Sequence, residues 1–118
     1  MTRSNLHITL SDSTRIKCVL DGSSAPEQEY IVEVILLPLL ALNNPKWELS
    51  LIRKHCEMDE QRTNASYRYT INLVTKEVRM FEEHYNYSTD IFRRGKEITG
   101  RYTTYLKSLK IQGNEKRS

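Results

Sequence analysis

The residues best suited to chemistry stand together once, at His55, Cys56 and Glu57. A cysteine nucleophile needs a base within about 3 Å and a third group that orients the base. In an extended segment neighbouring side chains point to opposite faces, so His55 and Cys56 would not meet. We therefore interpret the three residues as the end of a strand that runs into a polar loop.

No other reactive side chains in the sequence form a recognisable site. Glu82 and Glu83 are adjacent, and a strand would place them on opposite faces, so they cannot act as an acid–base pair. The three histidines and two cysteines match no metal-ligand spacing, and the four glycines match no phosphate-binding loop. We expect no enzymatic activity, no cofactor and no metal.

Tyrosine is frequent in this chain, with seven among 118 residues, and Tyr85 and Tyr87 lie close in sequence to Arg93 and Arg94. Aromatic side chains interleaved with arginine can hold single-stranded nucleic acid. The same residue types are enriched at the energetic centres of protein interfaces. Packing of a final helix against a neighbouring hairpin is a simpler explanation of the tyrosines.

Positive charge collects at the C-terminal end of the sequence. Residues 91–118 contain eight Lys or Arg and two Glu, a net +6, whereas residues 1–90 contain ten and thirteen, a net −3. Such a basic end suits nucleic acid or an anionic surface, although a solvated helix face and a polar tail explain it as well. The candidate contact residues are Arg93, Arg94, Lys96, Arg101, Lys107, Lys110, Tyr85 and Tyr87.

The clearest structural signal is the alternation of apolar and polar residues over residues 67–85, which predicts a β-hairpin. A loop of two or four residues pairs Leu73 with Val78 and sets Arg68 opposite Glu83. A three-residue loop would bring side chains to the wrong face, so the loop should have an even length. The Arg68–Glu83 pair would contribute at most about 1 kcal/mol.

A second hairpin is predicted over residues 6–20, again from alternation. A turn at residues 12–14, which contains Asp and Ser, would set Leu10 opposite Ile16. Cys18 lies on the apolar side of this hairpin and should be a buried thiol.

An apolar helix is predicted to follow, extending to about residue 42. Ser24 could cap it, with Pro26 in the first turn and Glu27 reaching back to the cap amide. Pro38 predicts a kink or an end. The competing interpretation of residues 30–42 is a strand, because the segment is rich in β-branched residues. These thirteen residues are too few to span a membrane, which takes about 20.

The rest of the chain predicts a third strand, a loop and a basic helix. A stop signal at residues 43–45 precedes alternation over residues 47–51, and residues 56–66 form a polar loop. A final helix should run from about residue 88 to residue 110, with a break near Gly95. Its apolar stripe consists of Ile91, Ile98, Tyr102, Tyr105 and Leu109.

These elements predict an α+β fold in the order ββαβββα. A mostly antiparallel sheet of about five strands would carry two helices packed on one face. Residues 1–112 would form a single domain, and residues 113–118 a disordered basic tail. The start of the sequence resembles no secretion signal, so we expect a cytoplasmic protein with reduced thiols.

The function predicted from these features is a small non-enzymatic protein-interaction module. Its protein partner is unknown and could be a second copy, as in a homodimer. The alternative is a nucleic-acid-binding accessory protein that uses the basic C-terminal helix. That alternative is less favoured, because the chain has no helix-turn-helix, zinc or RNA-binding signature.

The phase of the final helix is testable by substitution. Leu109→Ala should lower the free energy of unfolding by about 2–5 kcal/mol, the range for a buried leucine. Replacing both Lys107 and Lys110 with Gln should change stability very little, because exposed charges contribute little. Urea unfolding of both variants measures this. A silent Leu109→Ala with an unfolded lysine variant would show that the helix phase is wrong.

Overall fold

The protein, described by a computed structural model over residues 2–117 with side chains as far as Lys110, contains one mixed six-stranded sheet. The strands are β1 (Ser4–Thr9), β2 (Arg15–Leu20), β3 (Glu57–Met58), β4 (Tyr67–Asn72), β5 (Glu77–Asn86) and β6 (Ile91–Glu97). Their order is β3-β2-β1-β4-β5-β6, and β1 and β4 form the parallel pair. The predicted α+β class is confirmed, with six strands in place of about five.

Residues 2–117 contain three helices in addition to the sheet. A π-helix (Tyr30–Leu36) continues directly into α1 (Leu37–Ala41), and α2 (Pro45–His55) and α3 (Thr99–Arg117) complete the set. Their apolar sides share one buried core with one face of the sheet, as predicted for the two expected helices. The core side chains include Leu6, Ile8, Cys18, Leu20, Ile31, Ile35, Leu36, Leu39, Ile52, Tyr69, Ile71, Met80 and Tyr102.

Both predicted hairpins form, but each register differs from the prediction by two residues. Ile16 pairs with Ile8, although Leu10 was its expected partner. Val78 pairs with Ile71, although Leu73 was its expected partner. The second loop spans residues 73–76 and has the predicted even length, so the apolar side chains keep the predicted face.

The predicted third strand is wrong, because residues 47–51 lie inside α2. Asn44 is the N-cap, and its side-chain oxygen accepts hydrogen bonds from the backbone of Lys46 at 2.9 Å and of Trp47 at 3.3 Å. Pro45 occupies the first turn, where its missing N–H costs nothing. The Asn-Pro pair that was interpreted as a stop signal is therefore a helix start.

The apolar segment is a helix, as preferred, but Ser24 does not cap it. The helix begins at Tyr30, and Ser24 is buried in the turn before it. The Ser24 hydroxyl accepts a hydrogen bond from Ser4 Oγ at 2.8 Å and donates to the Thr2 carbonyl at 3.1 Å. Pro38 lies where the backbone changes from π to α geometry, and the helix continues beyond it to Ala41.

The start of the predicted final helix is wrong, because residues 91–97 form β6 and α3 begins at Thr99. The pairing of β5 with β6 shifts between Phe81 and Glu83, as in a β-bulge. Gly95 lies at this irregularity, and a Cβ atom there would approach the His84 ring to 2.4 Å. Only glycine lets the ring lie there without a shift of either group.

The predicted phase of α3 fits the structure further along. Tyr102 is buried, and Tyr105 and Leu109 are half-buried against the core. Lys107 and Lys110 are exposed. The predicted disordered tail, residues 113–118, lies outside the residues whose side chains are described.

The sheet face opposite the helices is partly covered by the connection from β3 to β4, residues 59–66. The Asn5 side chain accepts a hydrogen bond from the Arg62 backbone N–H at 2.7 Å and donates to its carbonyl at 3.0 Å. Asn5 also donates to Glu83 at 2.9 Å, and Arg68 binds both Glu83 oxygens at 2.8 and 3.1 Å. The predicted Arg68–Glu83 pair thus forms, but diagonally, because Phe81 lies opposite Arg68.

Removal of the Glu83 carboxylate should destabilise the fold. The side chain of Glu83 is fully buried and that of Arg68 is 17% exposed, so Glu83→Ala leaves a nearly buried guanidinium without its anion. We expect a loss of about 3–5 kcal/mol, the range for breaking a buried pair. Urea unfolding at pH 7 measures it.

The matched control is the double variant Glu83→Leu with Arg68→Met. Replacing both partners by apolar groups removes the uncompensated charge, so most of the lost stability should return. A Glu83→Ala variant within about 1 kcal/mol of the parent would contradict a structural role for this carboxylate.

Candidate functional site

The candidate residues from the basic end do not form a single surface. Those on the β5–β6 hairpin and those on α3 are carried by different elements, and the hairpin set is divided further because neighbouring strand residues face opposite sides. The hairpin residues are Tyr85, Tyr87, Arg93, Arg94 and Lys96. The helix residues are Arg101, Lys107 and Lys110.

Arg101 is occupied by an ion pair within the fold. Its guanidinium donates to both oxygens of Glu27, and this hydrogen bonding raises the pKa of Arg101 and lowers that of Glu27. Lys107 and Lys110 are exposed about 1.7 and 2.5 turns further along α3. The basic helix proposed from the sequence therefore presents two lysines among its described candidate residues, with Arg101 already paired.

Tyr85 and Tyr87 belong to an aromatic cluster at the end of the β5–β6 hairpin. The ring centroid of Tyr85 lies 4.8 Å from that of Tyr87 and 4.7 Å from that of Phe92. The Tyr85 hydroxyl donates to Asp90, and this hydrogen bond raises the pKa of Tyr85. Phe92 was not among the candidates, because the sequence placed it in a helix.

Within the trio His55, Cys56 and Glu57, the structure separates Cys56 from the other two, which line one cavity. His55 ends α2, and its Nδ1 lies 2.8 Å from the Tyr30 hydroxyl beside a cavity of about 300 Å³. Cys56 instead packs against the core beside Cys18. The neighbouring Cys56 thiol and burial raise the pKa of Cys18, so Cys18 stays protonated near neutral pH.

Exposed apolar side chains on the helices, among them an apolar patch around Trp47, were not predicted. Trp47 is 62% exposed, Val34 40% and Leu37 39%. A shallow cavity of about 320 Å³ adjoins Trp47. The residues that line it are Pro38, Leu42, Trp47, Ser50, Leu51 and Lys54.

The sequence carried one signal for this patch. Residues 30–42 are almost wholly apolar, and a helix that packs on one sheet can bury only part of its circumference. The surplus apolar side chains must face outward, as Val34 and Leu37 do. Trp47 was missed because its segment was assigned to a strand.

A basic groove of about 510 Å³ lies on the sheet face without helices. It is lined by side chains from β1, β2, β4 and β6, and none of them is acidic. The lining residues are His7, Ile8, Thr9, Arg15, Ile16, Lys17, Arg68, Thr70 and Arg94. Arg94 is the one candidate from the sequence that belongs to it.

Comparison with protein-family models, with curated proteins and with solved structures gave no match. No helix in residues 2–117 is long and apolar enough to cross a membrane. Within the same described residues, no group of three or more His, Cys, Asp or Glu side chains is arranged to hold a metal ion.

The two thiols should differ sharply in reactivity. Cys18 is fully buried with a raised pKa, whereas Cys56 is partly exposed. At pH 8 an aromatic disulfide reagent should therefore modify one thiol per native chain and two in urea. Cys56→Ser should abolish the native reaction, and Cys18→Ala should leave it unchanged.

The reaction rate also tests for catalysis. A Cys56 that reacts no faster than free cysteine is not an activated nucleophile, whereas a much faster reaction would indicate one. Two native thiols reacting at equal rates would contradict the buried position of Cys18.

Proposed function

We propose that the protein is a non-enzymatic protein-interaction module, located in the cytoplasm, whose partner is a second copy of the same chain. The observation that carries the proposal is the exposed Trp47 ring beside a shallow cavity that Pro38, Leu42 and Leu51 also line. Clustered exposed apolar side chains with polar neighbours mark interaction sites, whereas single ones are ordinary.

The shape of the patch supports self-association. An isologous interface brings the same patch of both copies together, so each patch must be complementary to itself. This patch offers a projecting ring, Trp47, and a shallow apolar cavity beside it. Across a two-fold axis the ring of each copy can enter the cavity of the other.

The residue types suit such an interface. Tryptophan is among the residues that most often dominate binding energy, and its partners are usually well-packed apolar pockets. Lys54 and Ser50 line the same cavity and supply polar groups at the rim. Burial of the exposed part of Trp47 and of the apolar side chains that line the cavity provides the driving force.

The test uses the fact that Trp47 is the single tryptophan of the chain. Sedimentation over a range of protein concentrations should show a monomer–dimer equilibrium. Tryptophan emission should shift to shorter wavelength over the same range, because the ring leaves water in the dimer.

Trp47→Ala should raise the dimer dissociation constant by about 30-fold or more, the effect of losing a residue worth at least 2 kcal/mol. The melting temperature of the monomer should not change, because Trp47 is 62% exposed. The matched control is Tyr87→Ala, a 73% exposed aromatic residue outside the patch, which should leave the equilibrium unchanged. A monomer at every concentration, or a dimer that Trp47→Ala leaves intact, would refute the proposal.

A further inference from the structure

We infer that the basic groove on the helix-free sheet face binds single-stranded nucleic acid, with phosphates held by Arg15, Lys17 and Arg94 and bases stacked on Phe92 and Tyr85. This site is on the other side of the sheet from the Trp47 patch. The outcome of testing this inference is therefore independent of the self-association proposed above.

The groove has positive charge available for a ligand. Arg15, Lys17 and Arg94 are exposed, and within the part of the chain that the structure describes they form no ion pair. Arg68 also lines the groove, but Glu83 neutralises it. Arg94 stacks over the Phe81 ring at 4.4 Å and keeps its charge. Three cations without an ion-pair partner, in a lining with no acidic residue, favour an anion.

The positions of the cations favour a polymer over a small ion. Arg15 and Lys17 are on β2 and Arg94 is on β6, four strand spacings away in the sheet order. Strands lie about 4.8 Å apart, so the two sets of backbone positions are separated by roughly 19 Å. One phosphate cannot contact the cations at both edges of the groove, whereas a chain of phosphates can.

The centre of the groove offers neutral polar groups along that path. Register places Lys17 beside His7 and His7 beside Thr70 on successive strands. Burial and the Arg68 charge lower the pKa of His7, so its ring is neutral at pH 7. Hydroxyl and imidazole groups between cations suit the sugars and bases that separate phosphates.

Aromatic rings on the same face select single strands. Tyr85 pairs with Phe92 and Glu83 with Arg94, and residues two apart on a strand share a face. Phe92 and Tyr85 are both partly exposed, and the register places them on the same face as Arg94, next to it along β6 and β5. Bases can stack on these rings only when they are not paired inside a duplex, and an acidic peptide has no such bases.

Fluorescence anisotropy with labelled oligo-dT and oligo-U of twelve nucleotides tests the inference. Both should bind in 50 mM salt, and a duplex of the same length should bind more weakly. With three phosphate contacts, the logarithm of the binding constant should fall with the logarithm of salt concentration with a slope of about −2.

The double variant Arg15→Gln with Lys17→Gln separates the groove from the basic helix. Each single-strand phosphate contact contributes about eightfold at 50 mM salt relative to 1 M, so losing two should weaken binding about 60-fold. The slope should become shallower by about 1.4. The matched control is Lys107→Gln with Lys110→Gln, which makes the same charge change on α3 and should leave binding nearly unchanged.

Phe92→Leu tests the stacking. Affinity should fall about 5- to 160-fold, the range for one stacked base, with the salt slope unchanged. Thermal unfolding checks that each variant folds. An NMR titration gives a second readout, because bound phosphate should raise the pKa of His7.

Several outcomes would overturn the inference. Absence of binding in 20 mM salt would do so, as would a loss caused by the α3 lysine variant and not by the groove variant. Polyglutamate that binds as tightly as oligo-dT, with no effect of Phe92→Leu, would identify an acidic peptide as the ligand class instead.

Discussion

The buried Glu83 carboxylate organises the sheet face that carries no helix. It binds Arg68 on β4 and Asn5 on β1, and Asn5 in turn holds the backbone of Arg62. These bonds fix the path of residues 59–66, which must cross the sheet because β3 is at its edge and β4 is near its centre. The covered part of the face is closed by that crossing, and the basic groove is the part that remains open.

The two faces of the sheet thus acquire different chemistry from one topological requirement. Helices cover one face, and their surplus apolar side chains at Val34, Leu37 and Trp47 face outward. The other face keeps exposed polar side chains, because a single connecting segment cannot cover six strands. An apolar surface and a basic surface therefore lie on opposite sides of the protein. A molecule bound to one of them would not block the other.

Alternation in the sequence identified both hairpins and the face of each side chain, but it could not identify the partners. A shift of two residues leaves every side chain on its own face, so the pattern is equally satisfied by Ile71 opposite Val78 or Met80. Turn geometry decides between them, through contacts such as Asn72 accepting hydrogen bonds from residues of its own loop. Alternation also misled at residues 47–51, where Glu48 and Ile52 are buried at helical spacing.

The concentration of charge after residue 90 shows why a sequence cluster is not yet a surface. Because residues 91–97 pair with β5 and do not continue α3, Arg93 and Arg94 face opposite sides of the sheet and Lys107 lies on a different element. The groove instead collects cations from positions 15, 17, 68 and 94, which the sheet order brings together. Such a site depends on long-range strand pairing, and no local pattern of residue types contains that information. The sequence indicates which end of the chain is basic, while the fold determines which cations share a surface.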